Sequence, residues 1–124
     1  GRGLVSAKGL TAVSLARTLG YSFASSSLED VLADKETDVV VLATRHHLHV
    51  PQGLQVLESG RHLFLEKPLA ISIEQLEEWT EGIEQMPGPI PIWMVGFNRR
   101  FSPPARLVRD HLASVEDAKL VTIR

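Results

Sequence analysis

Two short stretches of this chain hold residue types that could do chemistry. One is Glu66-Lys67-Pro68. Pro68 has no backbone N–H and restricts the residue before it, so an extended run arriving at this point has to stop at Lys67. A lysine fixed at the end of a strand can hydrogen-bond a ligand's hydroxyl or carbonyl, and partial desolvation would tune its hold on a proton. By itself the tripeptide equally describes a surface turn whose lysine reaches water. The other stretch is Thr44-Arg45-His46-His47-Leu48-His49, with three histidines in four positions. His46 and His49 are three apart and could share one helix face, which invites a zinc reading. A metal site needs three or four converging ligands, however, and no Cys, Asp or Glu lies in this loop. The primary expectation is therefore a loop that hydrogen-bonds a ligand or caps a helix, with no metal; a His-rich metal-binding loop is a lesser alternative. His49, just before Val50-Pro51, is placed as an N-terminal cap or the neighbour of one.

The elements around these stretches are legible from their patterns. Asp38-Val-Val-Val-Leu-Ala-Thr44 is apolar almost throughout and β-branched, the pattern of a central parallel strand covered on both faces. Residues 62–66 and 92–97 read the same way, and residues 4–6 and 21–23 are shorter candidates. Helical spacing fills the gaps. Ala12, Val13, Ala16 and Leu19 line one side of a helix that stops at Gly20. Ser27 caps a helix through Asp34. Val50, Leu54 and Leu57 share a helix ending at Gly60. Ser72 with Gln75 forms a capping-box pattern before Ile73, Leu76, Trp79 and Ile83. Glu74, Glu77, Glu78 and Glu81 read as that helix's solvated face. Ser102-Pro103 opens a last helix, with Leu107, Val108 and Leu112 inward. Strands alternating with helices imply an α/β fold with a parallel sheet and right-handed crossovers. Ligands bind beyond the carboxyl ends of such strands, which directs attention to residues 6–9, 24–26, 44–49, 66–68 and 98–100.

Composition bounds the rest. The 124 residues are enough for about one domain. A 44% hydrophobic content suits a folded globular chain. No cysteine means no disulfide, thiolate ligand or cysteine nucleophile. Thirteen basic against 15 acidic residues leave no basic footprint for nucleic acid. No apolar run approaches the roughly 18–20 residues of a membrane helix, and residues 1–8 lack a signal peptide's apolar core. The expected compartment is the cytoplasm.

Taken together, residues 38–44, His49, Gly60-Arg-His-Leu-Phe-Leu-Glu-Lys-Pro-Leu-Ala70 and Val95-Gly-Phe-Asn-Arg-Arg-Phe-Ser-Pro103 resemble the Gfo/Idh/MocA family of oxidoreductases, relatives of glucose–fructose oxidoreductase and inositol dehydrogenase. The likeness covers nearly the whole chain. It implies a partial Rossmann-like, doubly wound, three-layer αβα domain. It implies hydride transfer between NAD or NADP and a sugar, cyclitol or related polyol, with Lys67 contacting and polarising the reacting hydroxyl or carbonyl. Thr44, Arg45, His46 and His49 would pass beneath the cofactor's phosphates and ribose. Glu66 and Pro68 would shape the nicotinamide end, where the Lys–Pro peptide of relatives is often cis. Asn98, Arg99 and Arg100 would lie on the nicotinamide side, although Arg100 and Phe101 could equally anchor the following helix.

The departures from the family pattern are as informative. No strand followed by Gly-x-Gly-x-x-Gly and a helix is present, and by the resemblance the chain begins at the family's second strand. The absent unit carries the amides that cradle the pyrophosphate. Arg45 stands where the family has Pro, and His46 where it has Asn. Ser6-Ala7-Lys8 ends the first strand of this chain, where NAD-preferring folds place an acidic residue; Lys8 there would favour a 2′-phosphate and NADP. Residues 1–115 are expected to form the partial cofactor domain. Residues 116–124 would begin a second, substrate-binding domain whose catalytic Asp and His are absent, and His111 does not replace them. The fragment is expected to be inactive alone. A non-catalytic nucleotide-binding or interaction module is an alternative, and a homo-oligomer is left open. With the family's first strand missing, about five parallel strands are expected to close up in the family order 3-2-4-5-6.

Overall fold

The computed structural model describes residues 1–7 and 9–116. Lys8 and the strand expected over residues 118–124 lie outside the described residues. The order of elements is β1 (Gly3–Val5), α1 (Gly9–Leu19), β2 (Phe23–Ser25), α2 (Leu28–Ala33), β3 (Val39–Leu42), a 3-10 turn (His46–Leu48), α3 (His49–Glu58), β4 (His62–Glu66), α4 (Ile73–Glu84), β5 (Trp93–Gly96), a second 3-10 turn (Asn98–Phe101) and α5 (Pro103–Leu112). This is the expected α/β alternation, with every strand pair parallel.

Helix ends follow local chemistry. The hydroxyls of Ser27, Ser72 and Ser102 accept from the backbone N–H groups of Glu29, Gln75 and Ala105, one orphan donor each. Gly20 and Gly60 take left-handed φ values of 72° and 80° just past α1 and α3, a conformation that costs other residues.

The five strands form two sheets rather than one. β1 pairs with β2, and β3-β4-β5 form the second sheet, with Val40 opposite Leu63 and Leu65 opposite Val95. The expected closing-up of the family's second and fourth strands is thus corrected, since among the described residues β1 and β3 do not pair. The two sheets meet through α2 instead. Its Val31 joins the main core, with Phe23, Leu28 and Leu32 packed alongside. Polar ties accompany this contact. Arg2 donates to both Asp34 carboxylate oxygens, at 3.2 and 3.0 Å, and Arg61 donates to the Asp34 carbonyl at 3.0 Å. The Arg2 guanidinium, with help from the Thr37 hydroxyl, holds the Asp34 carboxyl down at about 2.

The core sits on one face of β3-β4-β5. Val40, Leu42, Leu63 and Leu65 pack against Val50, Leu54, Val56 and Leu57 of α3 and Trp79 of α4. Trp93 shares the Leu63 face of the sheet and meets Trp79 edge-on, with 4.9 Å between ring centroids. Gly53 lets α3 lie close to α4, because a β-carbon there would stand 2.7 Å from the Trp79 ring.

The opposite face is open. Val39, Val41 and Met94 are exposed and Phe64 is half-buried, so the expectation that β3 is covered on both faces does not hold. A continuous apolar run records what a strand tolerates on each face, whereas coverage depends on what is packed there. The same correction applies to several helices. Val13 and Leu19 of α1 and Ile73 and Leu76 of α4 are exposed. In α5, Leu107 is 72% exposed and Val108 is also exposed, because this helix packs on the 3-10 turn before it rather than on the sheet.

Candidate active site at the ends of β3 and β4

The carboxyl ends of β3 and β4 lie side by side, with Leu42 opposite Leu65. After β3 the chain passes Thr44 and makes one 3-10 turn into α3. After β4 it passes the cis Lys67–Pro68 peptide and reaches the cap of α4 at Ser72. Two side chains join these loops. His49, the first residue of α3, is fully buried. Its Nδ1 lies 2.6 Å from the Pro68 carbonyl oxygen and its Nε2 3.1 Å from the Thr44 carbonyl oxygen. Gln75 supplies the second tie. Its Nε2 donates to the His47 carbonyl at 3.2 Å, and its Oε1 accepts from the Ile71 N–H at 3.1 Å. Ser72 caps as its spacing suggests, but the Gln75 side chain reaches Ile71 rather than the Ser72 N–H of a reciprocal capping box.

The polar groups left facing outward are the ones the sequence singles out. The Lys67 side chain is exposed, and its backbone N–H donates to Oε2 of half-buried Glu66 at 3.3 Å. The Thr44 hydroxyl donates to Gln52 Oε1 at 2.8 Å. Arg45, His46 and His47 are exposed, and the His46 ring stands edge-on to His49, 5.5 Å between centroids. Glu66 pairs in register with Gly96, which brings the end of β5 and exposed Asn98 and Arg99 to the same rim. Arg100, also exposed, folds back over its own loop. Its Nε donates to the Phe97 carbonyl at 3.0 Å, and its guanidinium lies 5.9 and 5.6 Å from the Phe97 and Phe101 rings, an anchoring arrangement. Beside Pro68 an open apolar hollow of about 550 Å³ is lined by Leu69, Ala70, Ile71, Ile73, Leu76 and Phe97.

The structure therefore brings Thr44, His49, Glu66, Lys67 and Pro68 together, with Asn98 and Arg99 on the neighbouring strand end. Ser6 follows β1 in the separate sheet, where its N–H donates to the Ser25 carbonyl at 3.1 Å. Among the described residues no three His, Asp or Glu side chains converge on a metal position. At the start of α4 the Glu74 carboxyl is held below its usual range by the Ser72 hydroxyl and its own backbone N–H. Gln52 and Gln75 are the site residues that sequence reading missed. The Ser72–Gln75 spacing marked a helix start, but nothing local points to a partner 28 residues away.

Comparison with known proteins decides the family. The pattern of an oxidoreductase family with an NAD-binding Rossmann fold, Gfo/Idh/MocA, matches residues 2–88. The chain belongs to this family. It is 26% identical over 113 residues to levoglucosan dehydrogenase of Pseudarthrobacter phenanthrenivorans, covering 91% of this chain and 28% of that protein. It is 34% identical over 89 residues to scyllo-inositol 2-dehydrogenase (NAD(+)) of Bacillus subtilis, covering 72% and 25%. A solved structure of levoglucosan dehydrogenase with NADH and levoglucosan superposes with a TM-score of 0.76 at 27% identity, over 90% of this chain and 29% of that one. The chain thus spans between a quarter and a third of the length of these relatives. Among the described residues no helix is long and apolar enough to cross a membrane.

Proposed function

We propose that this chain forms part of the cofactor domain of an NAD(P)-dependent oxidoreductase acting on a sugar, cyclitol or related polyol. The observation that carries this reading is the position of Lys67, exposed at the carboxyl end of β4 between the ends of β3 and β5, in a chain of this family. Relatives named for levoglucosan and scyllo-inositol, both polyhydroxylated rings, support the substrate class. The donor set suits the nicotinamide end of such a cofactor. Lys67, Glu66 and Asn98 offer a cation, an acceptor and an amide along one rim, and Thr44 to His47 present a turn for the adjoining ribose and phosphates. Among the described residues no glycine-rich strand-to-helix turn is present to cradle the pyrophosphate, so that part of the grip has to come from other residues.

The bound nicotinamide supplies the hydride acceptor. Lys67 would hold the reacting oxygen, and its ammonium would stabilise the alkoxide left once the hydroxyl proton has passed to water or a base, the species from which hydride leaves to the nicotinamide. Its exposure fits a site whose remaining wall, with the substrate contacts, lies outside the described residues. The 124 residues alone are accordingly expected to give no hydride transfer.

A chimera tests this reading. These residues would replace the matching segment of levoglucosan dehydrogenase, and NADH formation from levoglucosan would be followed with Lys67 and with Lys67→Ala. The expected result is turnover that falls about 10²–10⁴-fold in the variant while NADH binding persists. A folded, NADH-binding chimera that turns over equally with and without Lys67 would contradict the assignment.

A further inference from the structure

His49 is buried, and among the described residues neither a carboxylate nor a hydroxyl hydrogen-bonds its ring. Both of its ring nitrogens face backbone carbonyl oxygens, Pro68 at 2.6 Å and Thr44 at 3.1 Å. A carbonyl oxygen accepts a hydrogen bond from an imidazole N–H. Thr44 leads out of β3 and Pro68 directly follows Lys67, so the ring is a strut between the two loops of the candidate site. We propose that His49 is a positioning residue for Lys67: seated between the Thr44 and Pro68 carbonyl oxygens, its ring ties the loop after β3 to the loop that carries Lys67. This inference rests on Lys67 being the group that meets the substrate.

The surroundings are those of a strut rather than an ion pair. The charged and titratable groups on the elements packed around the ring are Asp38 before β3, Arg45, His46 and His47 in the turn before α3, and Glu58 at the far end of α3. Those on the other side are His62 and Glu66 on β4, Lys67 after it, and Glu74, Glu77, Glu78, Glu81 and Glu84 on α4. Among the described residues none of these hydrogen-bonds the ring, and His46 meets it edge-on. Gln75, which has no titratable group, ties the same loops independently.

The experiment has an NMR arm and a kinetic arm. In the ¹⁵N-labelled 124-residue chain, the backbone amides are followed in the unsubstituted chain, His49→Gln and His49→Phe. His49→Gln, whose amide has two N–H donors, should keep the amides of Arg45, His46, Leu69 and Ala70 near their tied positions, and His49→Phe should displace both groups together. Loop amides that stay in place in folded His49→Phe would overturn the strut. In the levoglucosan dehydrogenase chimera, His49→Phe should lower kcat about 10- to 100-fold at little change in NADH affinity, with partial rescue by His49→Gln. Unchanged kcat in His49→Phe beside an inactive Lys67→Ala would refute the positioning role alone. An active Lys67→Ala would instead refute the reading of Lys67, leaving the NMR arm to judge the strut.

Discussion

The two sheets of this molecule are built to different standards. The β3-β4-β5 sheet has strands of four or five residues, and α3 and α4 bury Val50, Val56, Leu57, Leu63, Leu65 and Trp79 against it. The β1-β2 sheet has strands of three residues, and α1 buries only Ala12 and Ala16, among its described side chains, beside it. Buried apolar area is the main source of stability, and two alanines contribute little of it. What holds the smaller sheet in place is Val31 of α2 and the polar cluster of Arg2, Asp34 and Thr37. The difference divides the candidate site between the two halves. Lys67 and its ties belong to the half with its own core, whereas the end of β1, where a cofactor's ribose end is expected, belongs to the half that leans on its neighbour.

Removing a core side chain should widen this contrast most. Leu65 is fully buried on β4, two residues before Lys67, and Leu65→Ala is expected to cost about 2–5 kcal/mol. Leu19→Ala, at an exposed position of α1, is expected to stay within about 0.5 kcal/mol. Urea unfolding of both variants measures the ratio, and equal losses would erase the distinction. A smaller effect should come from acid. The Asp34 carboxyl is lowered from 3.8 to about 2 by the Arg2 hydrogen bonds first and the Thr37 hydroxyl second. A depressed carboxyl stabilises fully above its unfolded value and loses that contribution as pH falls through the folded value. The tie between β1 and α2 should therefore weaken between about pH 4 and about pH 2. Arg2→Ala should flatten the stability profile in that window, and added salt should do part of the same. An unchanged slope in Arg2→Ala would show that the pair does not hold the smaller sheet.

The sequence shows most clearly what is decided locally. The β-branched run of β3, the serine caps at 27, 72 and 102 and the glycine stop at 60 all appear where their chemistry predicts. Pro68 fixes the end of β4 and with it the place of Lys67. β2 lies at Phe23–Ser25 rather than at residues 21–23, because a short strand of Phe, Ala and Ser carries no periodic signal. Coverage of a strand's second face and the order of strands depend on partners distant in sequence, and both expectations failed. The same limit applies within the site. His49 stood out as a histidine beside a helix start, yet its partner Pro68 lies 19 residues on and is a backbone carbonyl, which no side-chain motif reveals.

Native-state hydrogen exchange of the 124-residue chain tests the central claim most directly: that Lys67 is carried by a half-molecule held by its own core. Amides of Val40, Leu42, Leu63 and Leu65 should exchange only through global unfolding. Those of Ser6 and Phe23, both hydrogen-bonded across the smaller sheet, should exchange through a lower-energy opening that leaves the first group protected. A single opening energy shared by both sheets, or earlier exchange in β3 and β4 than in β1 and β2, would contradict it.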